Sequence, residues 1–417
     1  MAKLAANIGS LYALQLANYV LPLVTLPYLV RVLGIQDYGL LAFTYSLVQY
    51  FVVVTDYGFN LSATRQVAFY RDDPEELNRI VSAVFLIKVV LMILSAIVLC
   101  VIVFAVAEYR SSWSLYAAAF SLVVGNVLFP VWLYQGLERM PLITILNVGA
   151  KALATISIFV FVESREDLLT AVFLQSAGGL FAGIGSAFAL RRFCPSIRLC
   201  RPGVLLIKRT FLEGWHIFLS QLSANLVNNS SVFILGVFHG SQNVGQFALA
   251  EKIVKAAVNL QVPVCNAIFP KVGALFLESP AKARVFLRRI VKYFLPVAAS
   301  VSLCLLFGAD LVTRLIAGVR DPEVALLMRV MSLLPITIFL DNIFGTQILL
   351  NLGYRRQFMT AILYSGLFAI GLSLALVPQF GARASAAIYF GSELLLLALM
   401  VRQVRLLGVG LGKEVSP

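Results

Sequence analysis

Eight ionisable residues fall inside long apolar runs of this sequence: Asp56, Lys88, Lys151, Glu251, Lys252, Lys255, Asp341 and Glu393. Ionisable groups are expensive in apolar surroundings. Where a chain keeps them, they usually face a bundle interior or a water-filled cavity. Spacing gives the first clue to their chemistry. Glu251 and Lys255 are four apart and can pair on one helix face, with Lys252 and Asn259 about one turn away. A helix so marked cannot turn that side to lipid. It lines a wet path, or it closes a salt-bridge knot that only fixes packing. Lys88 and Lys151 are isolated cations. Facing a path, they favour an anionic passenger such as a phosphate or an acidic sugar, because lysine binds phosphate as a point charge. The alternative for each is a stem that snorkels to a helix end.

The carboxylates point to ion handling. Asp56 follows Gln49-Tyr50 and opens a polar stretch with Tyr57, Gly58, Asn60 and Ser62. Asp56, Glu251, Asp341 (beside Asn342) and Glu393 are the candidates for carrying a coupling proton or sodium ion. Arg31 and Arg65 lie near span ends, within reach of the interface. The candidate substrate path is Arg31, Asp56, Arg65, Lys88, Lys151, Glu251, Lys252, Lys255, Asn259 and Lys271. A run of amides and hydroxyls, Gln221, Asn225, Asn228, Asn229, Ser230 and Ser231, suits sugar hydroxyls, which need donors and acceptors. It equally suits bonds between helices. Nothing here forms a catalytic constellation, so an enzyme is not expected. Two histidines, His216 and His239, and five scattered cysteines give no metal-type spacing and no disulfide pattern, and no cofactor is expected.

The elements that position these residues are membrane helices. Of 417 residues, 60% are hydrophobic and 13% charged, and the mean hydropathy is +0.91. A soluble protein carries about a quarter of its residues charged and cannot hide so much apolar surface. Stretches of about 20 apolar residues recur along the chain. They give twelve spans, near 7–32, 39–62, 81–107, 113–135, 142–163, 168–190, 214–238, 243–268, 290–309, 325–350, 358–379 and 383–402. The N-terminal stretch lacks a cleavage site after a short apolar core and reads as a retained first helix. Prolines 22, 27, 263 and 270 predict bends in the first and eighth spans.

The net charge is +13, which in a soluble chain would raise nucleic acid as a partner. Here 22 of the 33 Lys and Arg fall in the segments on the side of the N-terminus, against six on the other. That is the positive-inside bias of a membrane protein, so both termini are expected in the cytoplasm and no nucleic acid is expected.

The chain also repeats. Gly34, Gln36, Gly39 and Ala42 match Gly240, Gln242, Gly245 and Ala248, and Gln15, Arg65, Ala68 and Pro74 match Gln221, Lys271, Ala274 and Pro280 at the same offset. An even number of helices per copy predicts like-oriented halves related by a pseudo-two-fold axis along the membrane normal. The fold class is an all-α polytopic membrane protein with two six-helix lobes, 1–200 and 201–417. The basic segment 191–213, with Pro195, Pro202 and Gly203, reads as the linker.

Leu33-Gly34 with Tyr38-Gly39, Gln49-Tyr50, Asp56-Tyr57-Gly58 and Arg65 form a first motif block, and Trp132 to Met140 a second. Leu235-Gly236, Val244-Gly245, Ala250-Glu251-Lys252 and Phe269-Pro270-Lys271 form a third, and Leu350 to Gly353 a fourth. In these residues the chain resembles the O-antigen and polysaccharide flippases, the Wzx type of the multidrug/oligosaccharidyl-lipid/polysaccharide exporter superfamily. The resemblance implies two lobes around a cationic central cavity, alternating access, and a bacterial inner-membrane location. It implies an undecaprenyl-diphosphate-linked O-antigen unit as cargo, moved from the cytoplasmic to the periplasmic leaflet, with proton or sodium coupling. Asp56, Arg65, Glu251, Lys252 and Lys271 lie on the family pattern. Membrane lipid is the obligatory surrounding, and contact with other polysaccharide-assembly membrane proteins is compatible with the reading. Three rivals stay open: a multidrug exporter of the same superfamily, a polyprenyl-linked glycan polymerase or glycosyltransferase, and a membrane scaffold. The short outer loops argue against a polymerase, and the intramembrane charges against a scaffold.

Overall fold

A computed structural model describes residues 2–193 and 196–409, and within them leaves aside the side chains of 2–13, 16, 19, 193, 223, 224 and 226–229. Residues Cys194, Pro195 and Lys413, and the side chains of Lys3, Asn228 and Asn229, therefore lie outside what is described. Among the described residues all regular structure is helical. This follows from the environment the composition demands: in lipid every backbone polar group must be satisfied within its own segment.

The contacts divide the chain into two compact units, Met1–Asn229 and Ser230–Pro417. The first contains α1 (Ala2–Asp56), α2 (Phe59–Phe69), α3 (Pro74–Ala105), α4 (Ala107–Ser111), α5 (Trp113–Ala119), α6 (Ser121–Leu128), α7 (Val131–Gly136), α8 (Met140–Phe161) and α9 (Leu168–Phe193), with most of α10 (Val204–Phe238). The second contains the end of α10, then α11 (Ser241–Asn259), α12 (Val262–Glu278), α13 (Pro280–Ala317), α14 (Pro322–Val330) and α15 (Leu334–Asp341). A π-helical turn (Asn342–Leu350) and α16 (Arg355–Leu406) complete it.

Among the described residues, eight helical stretches are long and apolar enough to cross a membrane, or nine when α11 and α12, bent by 40° at their junction, are taken as one. Non-helical backbone breaks α1 at Gly34 (φ 81°) and α16 at Gly381 (φ 57°). Pro22 and Pro27 lie within helical α1, and Pro270 within α12. The break between α11 and α12 comes just before Pro263, which sits in the first turn of α12 where its missing N–H is harmless. Both copies of the repeat mark helix junctions: Gly34 is the break in α1, and Gly240 caps α11.

Apolar side chains cover both the inside and the outside. Trp132, Leu133, Phe59 and Val84 are buried in the first unit, and Val272, Leu287, Phe339 and Ile343 in the second. Val90, Ile93, Ile97 and Val101 on α3, and Val297, Leu303, Phe307 and Leu311 on α13, are exposed. In water such stripes would be unstable; against acyl chains they are the expected outer surface.

The segment read as a linker is bound to the first unit. Asn78 donates to the Ser196 carbonyl (3.1 Å) and accepts from the Arg198 N–H (2.8 Å), and the Cys200 N–H donates to Ser82 Oγ (2.8 Å). The start of α10 follows it. Tyr57 stacks on Phe211 and Phe218, with ring centroids at 4.5 and 4.9 Å, and Gln66 Nε2 donates to Glu213 at 2.6 Å. The division between the two contact units falls inside α10, after Asn229.

Candidate functional site

In the first unit the site begins with a helix break. After Asp56 the backbone turns left-handed at Tyr57 (φ 45°) and Gly58 (φ 76°) before α2 resumes. A Cβ at Gly58 would stand 2.6 Å from Ile217 Cγ2, so the turn needs glycine both for its dihedrals and for the approach of α10. The break leaves the Asp56 carboxylate at a helix end, facing α3.

Lys88, near the middle of α3, meets it there. Its ammonium donates to Asp56 Oδ1 (3.2 Å), to Asn126 Oδ1 (3.2 Å) and to the Asn126 carbonyl (3.3 Å). Asn60 donates to the other Asp56 oxygen at 3.3 Å. Lys88 is 2% exposed, and an ammonium has three donors, so this lysine is saturated by the protein. Asn126 reaches it because α6 packs directly on α9. A Cβ at Gly125 would lie 2.3 Å from the backbone carbon of Gly179, a contact open only to glycine.

Lys151 is placed differently. It is half-buried, near the middle of α8, and donates to Asn18 Oδ1 on α1 at 2.6 Å. No carboxylate among the described residues pairs with it. Nearby on the same helix, Asn147 has a buried side-chain carbonyl oxygen without a donor. Arg31 is exposed three residues before the Gly34 break. Arg65 is exposed on α2, within electrostatic reach of Glu213.

In the second unit α11, α15 and α16 pack against one another, which gathers residues scattered over 140 positions of sequence. Lys255 Nζ lies 2.8 Å from Glu251 Oε1 and 5.7 Å from the centre of the Tyr389 ring. Glu393, one turn beyond Tyr389, is close enough to act electrostatically on both Lys255 and Asp341. Asp341 is buried at the end of α15, and its two oxygens meet no donor. Asp341 and Glu393 thus bring two carboxyl groups within interaction distance of each other, and a hydrogen bond between two such groups requires a proton on one of them. Lys252 is half-buried on the same helix, Asn259 ends α11, and Lys271 is exposed, with its ammonium 4.8 Å from the Phe286 ring centre. A buried amide the sequence reading missed, Gln347, donates to the Cys265 carbonyl and to Asn342 Oδ1, both at 3.0 Å. In the amide run of α10, Asn225 donates to the Gln221 carbonyl at 3.1 Å.

The arrangement joins strands of evidence that define a class: a multi-pass helical membrane protein whose interior carries organised charge, which is the construction of a transporter. Its fold is similar to two solved transporter structures. One is the lipid II flippase MurJ in an inward closed conformation, with a TM-score of 0.76 at 12% identity, covering 95% of this chain and 87% of that one. The other is an inward-facing multidrug resistance MATE family transporter of the MOP superfamily, with a TM-score of 0.72 at 14% identity, covering 94% and 96%.

Sequence comparison is more specific. The model of the polysaccharide biosynthesis protein family matches residues 4–276. A protein of Escherichia coli (strain K12), named as a candidate O-antigen transporter, is 30% identical over 403 residues, 97% of each chain. One of Shigella dysenteriae with the same name is 27% identical over 401 residues, 96% of this chain and 99% of that one. The chain belongs to this family, the Wzx-type branch of the multidrug/oligosaccharidyl-lipid/polysaccharide exporter superfamily, whose named members here are transporters and not enzymes.

Proposed function

We propose that the chain is a flippase that carries an undecaprenyl-diphosphate-linked oligosaccharide, the O-antigen repeat unit, from the cytoplasmic to the periplasmic leaflet of the bacterial inner membrane. The observation that carries this reading is end-to-end similarity, 97% of each chain, to a relative named for O-antigen transport. The chemistry supports it. The lipid tail can remain in the bilayer while only the head crosses, the diphosphate requires positive charge, and the sugars require hydrogen-bonding groups. Charged groups on the inner face of membrane helices supply the second requirement, and the amides of α10 the third.

Transport then proceeds by alternating access of two six-helix lobes. The breaks at Gly34 and Gly381 support a twelve-span reading. Each divides one long helix into two spans, and the bent α11–α12 pair and α10 supply the remainder. The positive-inside bias supports cytoplasmic termini. Coupling to protons or sodium would use Asp341 and Glu393, with Glu251 and Asp56 held by lysine partners. The path residues proposed are Arg31, Asp56, Arg65, Lys88, Lys151, Glu251, Lys252, Lys255, Asn259 and Lys271. Similarity to a MATE transporter keeps drug export as the second reading. Deleting the gene and assaying which leaflet holds the lipid-linked repeat unit separates the two. Accumulation in the cytoplasmic leaflet is expected. Normal surface glycan combined with altered drug sensitivity would replace the flippase reading by the exporter.

A further inference from the structure

Three lysines sit well inside membrane helices with their surroundings described, and the protein neutralises two of them. Lys88 has all three donors engaged and Asp56 as counter-ion. Lys255 has Glu251. Lys151 has one neutral partner, the Asn18 amide oxygen at 2.6 Å, and no carboxylate among the described residues. Its position excludes the ordinary escape. It is the twelfth of 22 residues in α8, roughly 15 Å from either end at about 1.5 Å per residue, farther than a lysine stem can snorkel. An ammonium without a counter-ion at that depth is expensive for a structural element, and a neutral residue would pack there at lower cost.

We infer that Lys151 is the internal binding site for a phosphate-ester anion, with Asn18 fixing the ammonium and the carrier's diphosphate acting as the missing counter-ion at mid-membrane. The inference rests on the flippase reading for the identity of the carrier. It goes beyond that reading in separating one anion-binding lysine from lysines whose charge is internally matched. The chemistry follows from the donor inventory. An ammonium with one donor on Asn18 keeps two for phosphate oxygens, and charge-assisted bonds to phosphate are about twice as strong as neutral ones. Asn18 accepts through its oxygen, so it orients the ammonium without neutralising it.

The test uses the purified full-length protein and three probes: undecaprenyl diphosphate, undecaprenol and phosphatidylglycerol. Binding is read by ligand-induced thermal stabilisation and by native mass spectrometry. Wild type should bind undecaprenyl diphosphate well above undecaprenol. Lys151→Met should weaken diphosphate binding at least about tenfold, the equivalent of one charge-assisted hydrogen bond, while Lys151→Arg stays within about threefold of wild type. Lys282→Met, which removes one exposed charge elsewhere, should leave it unchanged. Should Lys151→Met fail to fold, Asn18→Asp serves instead: it places a carboxylate on Lys151, so the fold should hold while diphosphate binding falls. Unchanged diphosphate affinity in the folded Lys151 and Asn18 variants overturns the assignment. So does equal competition by phosphatidylglycerol, which would make this a phospholipid headgroup site. Either result leaves the flippase reading intact if leaflet transfer by wild type is normal. Failure of leaflet transfer by wild type sinks that reading without touching the binding result.

Discussion

The ammonium of Lys88 lies 3.2 Å from the carboxylate of Asp56, and the two are unequally buried, with side-chain exposures of 2% and 21%. That asymmetry orders the cost of breaking the pair. Asp56→Asn leaves a fully enclosed cation without a counter-ion. Lys88→Met leaves a carboxylate that can hydrate or take up a proton. Asp56→Asn should therefore destabilise more, by about 3 kcal/mol, the low end for an orphaned buried charge. The double variant should recover part of the loss. Thermal unfolding of the three purified variants in detergent checks the order; equal losses for the two singles would contradict it.

Asp341 presents the opposite case. A buried carboxylate with no donor is a poor structural element. Asp341→Asn should hold or raise the melting temperature, and in proteoliposomes it should remove the dependence of transport on an imposed proton or sodium gradient. Glu393→Gln should act the same way on coupling. A large fall in thermal stability for Asp341→Asn would show that the carboxylate has a structural partner.

Gly58 tests the helix break. Alanine there must adopt a φ of 76° and fit a Cβ 2.6 Å from Ile217. Strain and overpacking together predict a loss of about 2–5 kcal/mol. Adding Ile217→Ala should return the steric part and leave the backbone part. If Gly58→Ala alone is as stable as wild type by thermal unfolding, the turn is not as tight as described.

The helix junction at Gly381 is clasped by Arg383, which donates to both oxygens of Glu323 at 2.6 and 2.8 Å. The guanidinium holds the Glu323 carboxyl below the ordinary glutamate range. A carboxyl depressed in the folded state contributes stability above its unfolded pKa, about 4.3, and the contribution disappears as pH falls through the lower folded value. Wild type should therefore lose more stability than Arg383→Gln between neutral pH and pH 3. The gap between their melting temperatures, read across that range, should narrow on acidification; a gap that widens would reverse the assignment.

Local spacing made part of this legible before any coordinates. Glu251 and Lys255 are four apart on one helix, and their pairing at 2.8 Å follows from helix geometry. Long apolar runs gave the helices for the same reason, since hydropathy is read along the chain. Pairings between helices were not legible. Asp56–Lys88, Lys88–Asn126 and Lys151–Asn18 depend on how each helix is rotated about its axis, which a nearly uniform apolar sequence does not record. The Tyr57–Gly58 break carries no proline to announce it. The 191–213 segment looked like a tether because it is basic and rich in turn residues. Its attachment to Asn78 and Ser82 uses backbone groups, which composition does not reveal.

The contact between Gly125 and Gly179 contains no charge, yet it sets how far substitution can wander near Lys88. A single methyl group at 125 would pry α6 off its neighbour and carry Asn126 with it. The lysine would then lose two of its three acceptors without any polar residue having changed. Genetic screens for loss of transport should therefore recover lesions in small apolar residues as readily as in the charged ones, and a map drawn from the charged residues alone would miss them.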